Sequence, residues 1–194
     1  KPAETTPLVA DQAIRLMHLA GVPQAALQFL PGTGPEIGGV LTGDPRISGV
    51  CFTGSTQTAQ TINRNMAENL SPDALLIAET GGLNCMIVDS SALPEQAVKD
   101  IITSAFQSAG QRCSALRMLY IHQDIADQVI EMLSGAMDEL SIADPWFHST
   151  DIGPVIDERA KANITDYVAA AKADGLLIKQ VDVPRHGYFV GPAM

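Results

Sequence analysis

The sequence has 194 residues, of which 46% are hydrophobic and 18% are charged, so the chain is long and apolar enough to bury a core. Twelve basic and 22 acidic residues give a net charge of −10, which repels phosphate backbones and anionic lipid. No apolar stretch approaches the roughly 20 residues of a membrane-spanning helix. We therefore expect neither nucleic acid nor a membrane as a partner.

The number and spacing of the cysteines and histidines indicate the redox state of the compartment and the absence of a metal site. Cys51, Cys85 and Cys113 are odd in number and widely spaced, which favours a reducing compartment over a disulfide framework. We therefore expect a cytoplasmic location. The four histidines do not have the spacing of metal ligands, so we predict no metal site.

The first half of the sequence alternates between helical and strand patterns. Thr6-Pro7, a helical apolar stripe and Gly21 predict a capped helix. Its predicted core-facing stripe is Val9, Ala13, Leu16, Met17 and Ala20. The patterns that follow predict a buried strand at 27–30, a short helix at 35–41, a strand at 47–53, a helix from Ser55 to about Asn69, and strands at 75–78 and 85–88.

The alternation continues in the second half. The patterns predict a helix from Pro94 to about Ser108 that stops at Gly110, a strand at 117–122, two further helices over about 125–140 and 160–171, and short strands at 176–179 and 188–190. Strands that alternate with helices indicate an α/β fold. The only plausible domain seam lies at residues 79–84, where a glycine pair interrupts the alternation.

Cys113 is a candidate nucleophile. It follows a long helix, in a loop of small residues, with the Arg112 cation beside it. A thiol with a pKa near 8.5 is only about 3% ionised at pH 7, so a nucleophilic cysteine needs a neighbouring cation, helix dipole or base. Composition alone would favour a small buried residue, and we retain that interpretation for Cys51 and Cys85.

Glu79 is a candidate general base. It follows four apolar residues directly and precedes Thr80-Gly81-Gly82. Burial there would raise the pKa of its carboxyl, which suits proton transfer near neutral pH. The alternative is a carboxylate that leans into solvent where the strand ends.

Two segments are candidates for nucleotide binding. Gly54-Ser55 at a strand-to-helix turn can present backbone N–H groups and a hydroxyl to a phosphate, although the usual fingerprint of three spaced glycines is absent. Lys1 and Glu4 form a cation and carboxylate pair that can hydrogen-bond ribose hydroxyls. Taken alone, an ordinary turn and a solvated terminus explain these residues equally well.

Four motifs together resemble the aldehyde dehydrogenase superfamily in order and spacing. They are Lys1-Pro2-Ala3-Glu4, Phe52-Thr53-Gly54-Ser55-Thr56, Glu79-Thr80-Gly81-Gly82 with Asn84, and Gly110-Gln111-Arg112-Cys113. The residues in and around the last two motifs resemble those of the L-glutamate γ-semialdehyde dehydrogenases. In bacteria these also occur as a domain of a bifunctional proline-utilisation flavoenzyme. The resemblance covers essentially the whole chain.

The resemblance implies a fold and a separate function for each part of the chain. It implies an aldehyde-dehydrogenase-like fold, of which this chain is a middle fragment. Residues 1–79 would be part of a Rossmann-like NAD-binding domain, and residues 80–194 part of the α/β catalytic domain. FAD would be confined to a separate domain of the longer protein, which we expect to be a homo-oligomer.

The resemblance also implies residue roles. Cys113 would attack the aldehyde, and Glu79 would activate the water that hydrolyses the thioester. NAD would be held by Lys1, Glu4, Gly54 and Ser55, and the substrate by Ser114 and Arg112. The upstream asparagine that completes the family's oxyanion hole is not in this sequence, so we expect the chain alone to be inactive.

Two other functions stay open from the sequence. One is an NAD(P)-dependent dehydrogenase for a different aldehyde. The other is a cofactor-free thioester hydrolase that uses Cys113 and Glu79. A non-catalytic relative is disfavoured because both reactive side chains are present.

Overall fold

A computed structural model describes residues 1–194, which form two compact units. Unit 1 is Lys1–Gly81 and unit 2 is Gly82–Met194. The boundary expected from sequence, between residues 79 and 80, falls just before this division, whereas the binding and catalytic roles of the two segments stay predictions. None of the helices combines the length with the hydropathy that a bilayer-spanning segment requires.

Unit 1 is built on one strand, helix, strand motif. Its elements are α1 (Pro7–Leu19), a π-helical turn (Gly34–Gly38) that continues into α2 (Gly39–Thr42), β1 (Gly49–Gly54), α3 (Thr56–Asn69) and β2 (Leu75–Thr80). The two strands are parallel, from Gly49 opposite Leu75 to Gly54 opposite Thr80. Parallel strands need a crossover connection, and α3 provides it.

The sheet of unit 1 is covered on one face only. Helix α3 contacts both strands, and the side chains of Val50, Phe52 and Leu76 are partly buried. Cys51 and Ile77 are exposed on the opposite face. The buried residues of the unit are Thr42, Ala59 and Met66.

Three sequence expectations for unit 1 are wrong in the structure. Helix α1 forms where predicted, but no residue of it is buried, and Val9 is 73% exposed because no other element covers its apolar stripe. Residues 27–30 form no strand, because no other segment pairs with them to satisfy their backbone groups. Cys51 lies in β1 as predicted, yet it is exposed rather than buried.

Unit 2 repeats the strand, helix, strand motif and adds two further helices. Its elements are β3 (Asn84–Val88), α4 (Pro94–Phe106), a 3₁₀ turn (Gln107–Gly110), β4 (Leu116–Ile121), a 3₁₀ turn (Gln123–Ile125), α5 (Ala126–Asp138) and α6 (Glu158–Ala173). Strands β3 and β4 are parallel, with a register shift between Asn84 and Cys85.

A contiguous core lies between the strands and the α4 and α5 helices. Helix α4 packs against both α5 and β4. The buried cluster consists of Val88, Val98, Ile101, Ala105, Leu116, Val129, Leu133 and Met137. Val98, Ile101 and Ala105 lie on one face of α4, and this face is buried in the core. The core therefore supports the loop between α4 and β4.

Two expectations for unit 2 are also wrong. Segments 176–179 and 188–190 are not strands, although the Lys179 backbone exchanges hydrogen bonds with Met194 next to an isolated bridge between Gln180 and Ala193. A single bridge is too short to make a ladder. Cys85 begins β3 near its predicted place but is exposed, because the face of β3 on which it lies has no covering layer.

Candidate active site

Lys1 and Glu4 meet beside an open cleft in unit 1. The Lys1 Nζ is 3.6 Å from Oε1 of Glu4. The same carboxylate oxygen accepts a hydrogen bond of 2.5 Å from the Gly34 backbone N–H. Residues 2–4, Pro7 and residues 31–33 line a cleft of about 210 Å³. A cation and a carboxylate at the rim of such a cleft are a suitable set for the hydroxyl groups of a sugar.

Ser55 caps α3 at the end of β1. Its Oγ accepts a hydrogen bond of 3.1 Å from the Thr58 backbone N–H and lies 2.8 Å from the Thr58 hydroxyl. The first backbone N–H groups of a helix lack intrahelical partners and favour anions, so this turn is chemically suited to a phosphate. At Gly54 a Cβ atom would lie 2.4 Å from the Phe52 ring, so the glycine leaves space for that ring.

Glu79 lies on the uncovered face of the sheet in unit 1. It is the penultimate residue of β2 and pairs in register with Thr53 of β1. Its side chain is exposed to solvent. Of the two alternatives from sequence, the structure of unit 1 therefore has the solvent-facing carboxylate rather than the buried one. The catalytic role of Glu79 stays a prediction.

Cys113 lies in unit 2, in the loop that joins the 3₁₀ turn to β4. Its thiol is free and exposed. Just before it the backbone is left-handed at three successive residues, with φ of 57° at Ser108, 52° at Ala109 and 69° at Gly110. Two of these residues are not glycine, and such a conformation persists only where the surroundings hold it.

Side-chain hydrogen bonds connect this loop to two other segments of unit 2. The Asn84 Nδ2 donates hydrogen bonds to the carbonyl oxygens of Cys113, at 2.7 Å, and Ala115, at 3.0 Å. The Gln111 Oε1 accepts a hydrogen bond of 3.1 Å from the Ile156 backbone N–H. The sequence alone predicted no role for either side chain. The available signal was a polar residue, Asn84, at the start of an otherwise apolar strand.

Arg112 contacts the end of α4. Its Nη2 donates to the carbonyl oxygens of Thr103, at 2.8 Å, and Ser104, at 3.2 Å. Its Nε is buried without a hydrogen-bond partner. These contacts are to backbone groups of unit 2, and the substrate role of Arg112 stays a prediction. Ser114 is exposed beside Cys113, where its hydroxyl is available to a ligand.

The candidate residues are therefore distributed over both units. Unit 1 carries the predicted cofactor residues and Glu79, and unit 2 carries Cys113, Ser114 and Arg112. The structure contains no group of three or more His, Cys, Asp or Glu side chains that could hold a metal ion. The chemistry available is that of a thiol, a carboxylate and a helix N-terminus.

Comparison with known proteins places the chain in a family. The sequence model of the aldehyde dehydrogenase family matches residues 1–194. The chain belongs to the aldehyde dehydrogenase family. It is 50% identical to the bifunctional protein PutA of Klebsiella aerogenes over 205 residues, which cover 100% of the chain and 16% of the relative. It is 36% identical to the 1-pyrroline-5-carboxylate dehydrogenase of Bacillus cereus over 199 residues, which cover 100% of the chain and 38% of that protein.

A solved structure agrees with this assignment. The solved structure of a proline utilization A (PutA) protein with proline bound in remote sites matches with a TM-score of 0.94 and 49% identity, over 99% of this chain and 20% of that one. The predicted aldehyde-dehydrogenase-like fold and the family resemblance are both confirmed. The chain spans only about a fifth, or less, of the PutA relatives it matches.

Proposed function

We propose that the chain is part of an enzyme that oxidises L-glutamate γ-semialdehyde to L-glutamate with NAD, in proline catabolism in the cytoplasm. The observation that carries this proposal is the exposed Cys113 thiol on a loop held by neighbouring side chains, within a chain 50% identical to a PutA protein. The similarity to a 1-pyrroline-5-carboxylate dehydrogenase supports the same substrate class.

The first chemical step belongs to Cys113. Its Sγ attacks the aldehyde carbon, the carbonyl oxygen becomes a hydroxyl, and a thiohemiacetal forms. Loss of a hydride and a proton from this adduct leaves a thioester on the same sulfur. The exposed position of the thiol in unit 2 supports this role, because an aldehyde must reach the sulfur from solvent. We assign the neighbouring Ser114 and Arg112 to the substrate's polar groups.

The second step belongs to Glu79. Its carboxylate takes a proton from water, the hydroxide oxygen attacks the thioester carbon, and the thiol and the carboxylic acid are released. Overall, one aldehyde, one water and one NAD⁺ give one carboxylic acid, one NADH and one proton. The exposure of Glu79 at the end of β2 supports this role, because the base must meet a water molecule.

The residues of unit 1 fit a dinucleotide. When bound, NAD accepts the hydride. The α3 N-terminus with Ser55 suits the pyrophosphate, and Gly54 leaves the adjoining backbone without a side chain. Lys1 and Glu4 suit the adenosine ribose at the edge of the cleft. We expect NAD to be preferred over NADP because a 2′-phosphate would meet the Glu4 carboxylate. Equal catalytic efficiency with both cofactors would contradict that preference.

The substrate and the redox step can be tested in one assay. The full-length protein that carries this sequence should generate reduced cofactor from NAD and L-glutamate γ-semialdehyde, measured by absorbance. The Cys113→Ala variant should lose this activity by a factor on the order of 10⁴ or more, since it removes the nucleophile. Cys85→Ala, a change at another exposed thiol, is the matched control and should keep it.

A cofactor-free thioester hydrolase is the second candidate function. Cys113 and Glu79 are the residues of the hydrolytic half of the dehydrogenase reaction, so they alone do not separate the two. Turnover of a thioester without NAD, combined with no reduced cofactor from any aldehyde, would favour the hydrolase. We also propose that the longer protein carries FAD in a separate domain and forms a homo-oligomer. The bifunctional relative supports a second activity in the longer protein.

A further inference from the structure

The loop that carries Cys113 has a conformation that its own sequence does not favour. Ser108 and Ala109 have φ values of 57° and 52°, in the region that non-glycine residues rarely adopt. Gly110 follows with φ of 69°, and a Cβ there would lie 2.8 Å from the carbonyl oxygen of Ala105. A loop of this kind needs external contacts to keep a single geometry.

Two arginines bind the N-terminal side of the loop. Arg112 donates from Nη2 to the carbonyl oxygens of Thr103 and Ser104, in the last turn of α4. The last carbonyls of a helix have no intrahelical partner and carry partial negative charge, so a guanidinium is favourable there. Arg117 donates from Nη2 to the carbonyl oxygen of Gly110. Arg117 thereby binds the last residue of the left-handed turn, and Arg112 attaches the loop to the last turn of α4.

Asn84 binds the C-terminal side of the loop. Its amide nitrogen donates to the carbonyl oxygens of Cys113 and Ala115, 29 and 31 residues further along the chain. Both acceptors are carbonyls, so only the nitrogen of the carboxamide satisfies them. Asn84 lies at the start of β3, where the register with β4 shifts. The backbone of the nucleophile residue is therefore tied to the sheet of unit 2.

We propose that Asn84 and Arg112 are positioning residues that hold residues 108–115 in the geometry that presents the Cys113 thiol. The proposal rests on the proposed function, since it takes Cys113 as the nucleophile. In addition to its expected substrate role, Arg112 would position the loop by binding the carbonyl oxygens at the end of α4. Neither side chain needs to touch the aldehyde for this task.

The test uses Asn84→Asp and Arg112→Ala in the full-length protein that carries this sequence. Asn84→Asp keeps the shape of the side chain but turns a carboxylate oxygen toward two carbonyl oxygens. A displacement of about 1 Å at a reacting group can cost about 10²-fold in rate. We therefore expect kcat to fall by about 10²-fold in Asn84→Asp, with the KM for NAD unchanged.

A second readout does not depend on the dehydrogenase reaction. The rate at which iodoacetamide alkylates Cys113, followed by peptide mass spectrometry, should fall in both variants, while alkylation of the Cys85 peptide stays the same. Arg112→Lys should recover part of the rate, because an ammonium can still donate to the α4 carbonyls. Asn163→Asp and Arg159→Ala on α6, both at exposed positions, are matched controls and should leave both readouts unchanged.

The outcomes separate this proposal from the proposed function. An active wild type with unchanged kcat and unchanged Cys113 alkylation in Asn84→Asp and Arg112→Ala overturns the positioning role alone. A wild type that reduces no NAD, but whose Cys113 alkylation still slows in the variants, overturns the proposed function and leaves the loop contacts supported. If Asn84→Asp does not fold, Arg112→Lys compared with Arg112→Ala decides, because no difference between them overturns the proposal.

Discussion

The two units contain the same strand, helix, parallel strand motif, yet they bury very different amounts of it. In unit 1 the motif β1, α3, β2 buries only Ala59 and Met66, and Thr42 of α2 is the unit's other buried residue. In unit 2 the motif β3, α4, β4 is joined by α5, and a contiguous apolar cluster forms between the helices and the strands. The comparison shows that the motif does not make a core by itself, whereas the motif with the packed α5 helix does.

The same difference separates the chemistry of the two units. The candidate nucleophile of unit 2 lies on a loop that follows a packed helix and is bound by several side chains. The candidate base and cofactor residues of unit 1 lie on an uncovered sheet face, a helix N-terminus and the rim of a cleft. A nucleophilic thiol needs a fixed orientation, which a loop held by a packed helix and by side-chain hydrogen bonds provides. A carboxylate that activates water needs access to solvent.

Removing a core side chain of unit 2 should have the largest effect on stability. Met137 of α5 is fully buried in the core cluster. Met137→Ala should lower the free energy of unfolding by about 2–5 kcal/mol, through lost burial and the cavity left behind. Met17 on α1 is 47% exposed, so Met17→Ala is the matched control and should change it by less than about 0.5 kcal/mol. Urea denaturation of the chain measures both, and equal losses would contradict the comparison.

Removing a helix cap should have a smaller effect, and a similar one in each unit. Ser55 caps α3 in unit 1, and Asp157 caps α6 in unit 2 through a 2.7 Å hydrogen bond from the Ala160 N–H. Each change to alanine should cost about 1 kcal/mol. Amide hydrogen exchange should show the loss of protection in the first turns of the affected helix only. Loosening of both helices by either substitution would mean that the caps do not act locally.

The smallest effects should come from two carboxylates that titrate at acid pH. Hydrogen bonds from the Arg46 side chain and backbone hold the pKa of Asp44 well below its ordinary value of 3.8. The pKa of Asp89 is also lowered, by hydrogen bonds from the Ser91 hydroxyl and from the Ser90 and Ser91 backbone N–H groups. A lowered folded-state pKa gives stability that is present above the unfolded pKa and is lost as pH falls through the folded one.

Asn substitutions test this titration. The difference in urea midpoint between wild type and Asp44→Asn, or Asp89→Asn, should be constant near neutral pH and shrink below about pH 3.8. Salt should weaken the Asp44 effect more than the Asp89 effect, because only Asp44 is paired with a guanidinium. A difference that grows as the pH falls would contradict the sign of both shifts.

Local patterns predicted the elements whose signals are local. Helices α3, α4 and α5 and strands β1 to β4 form near their predicted residues because apolar spacing, caps and glycines act within a few residues. The strands expected at 27–30, 176–179 and 188–190 do not form, because a strand depends on a distant partner. Apolar patterns also marked α1 and Cys51 as buried, although burial depends on whether another element covers them.

The candidate site was predictable in its motifs and not in its contacts. The sequence singled out Cys113 from its neighbours and Glu79 from the strand before it. It could not indicate that Asn84 binds the carbonyl oxygen of Cys113, because a hydrogen bond across 29 residues has no periodic signature. Likewise, the attachment of Arg112 to the end of α4 is visible only in three dimensions.

In the proposed mechanism, the Cys113 thiol of unit 2 and the Glu79 carboxylate of unit 1 act in successive steps. Rapid mixing of the full-length protein with NAD and L-glutamate γ-semialdehyde separates the steps, because reduced cofactor forms before thioester hydrolysis. Glu79→Gln should keep the initial burst of reduced cofactor while steady turnover falls by about 10²–10⁴-fold. Cys113→Ala should show no burst. Loss of the burst together with turnover in Glu79→Gln would contradict this mechanism.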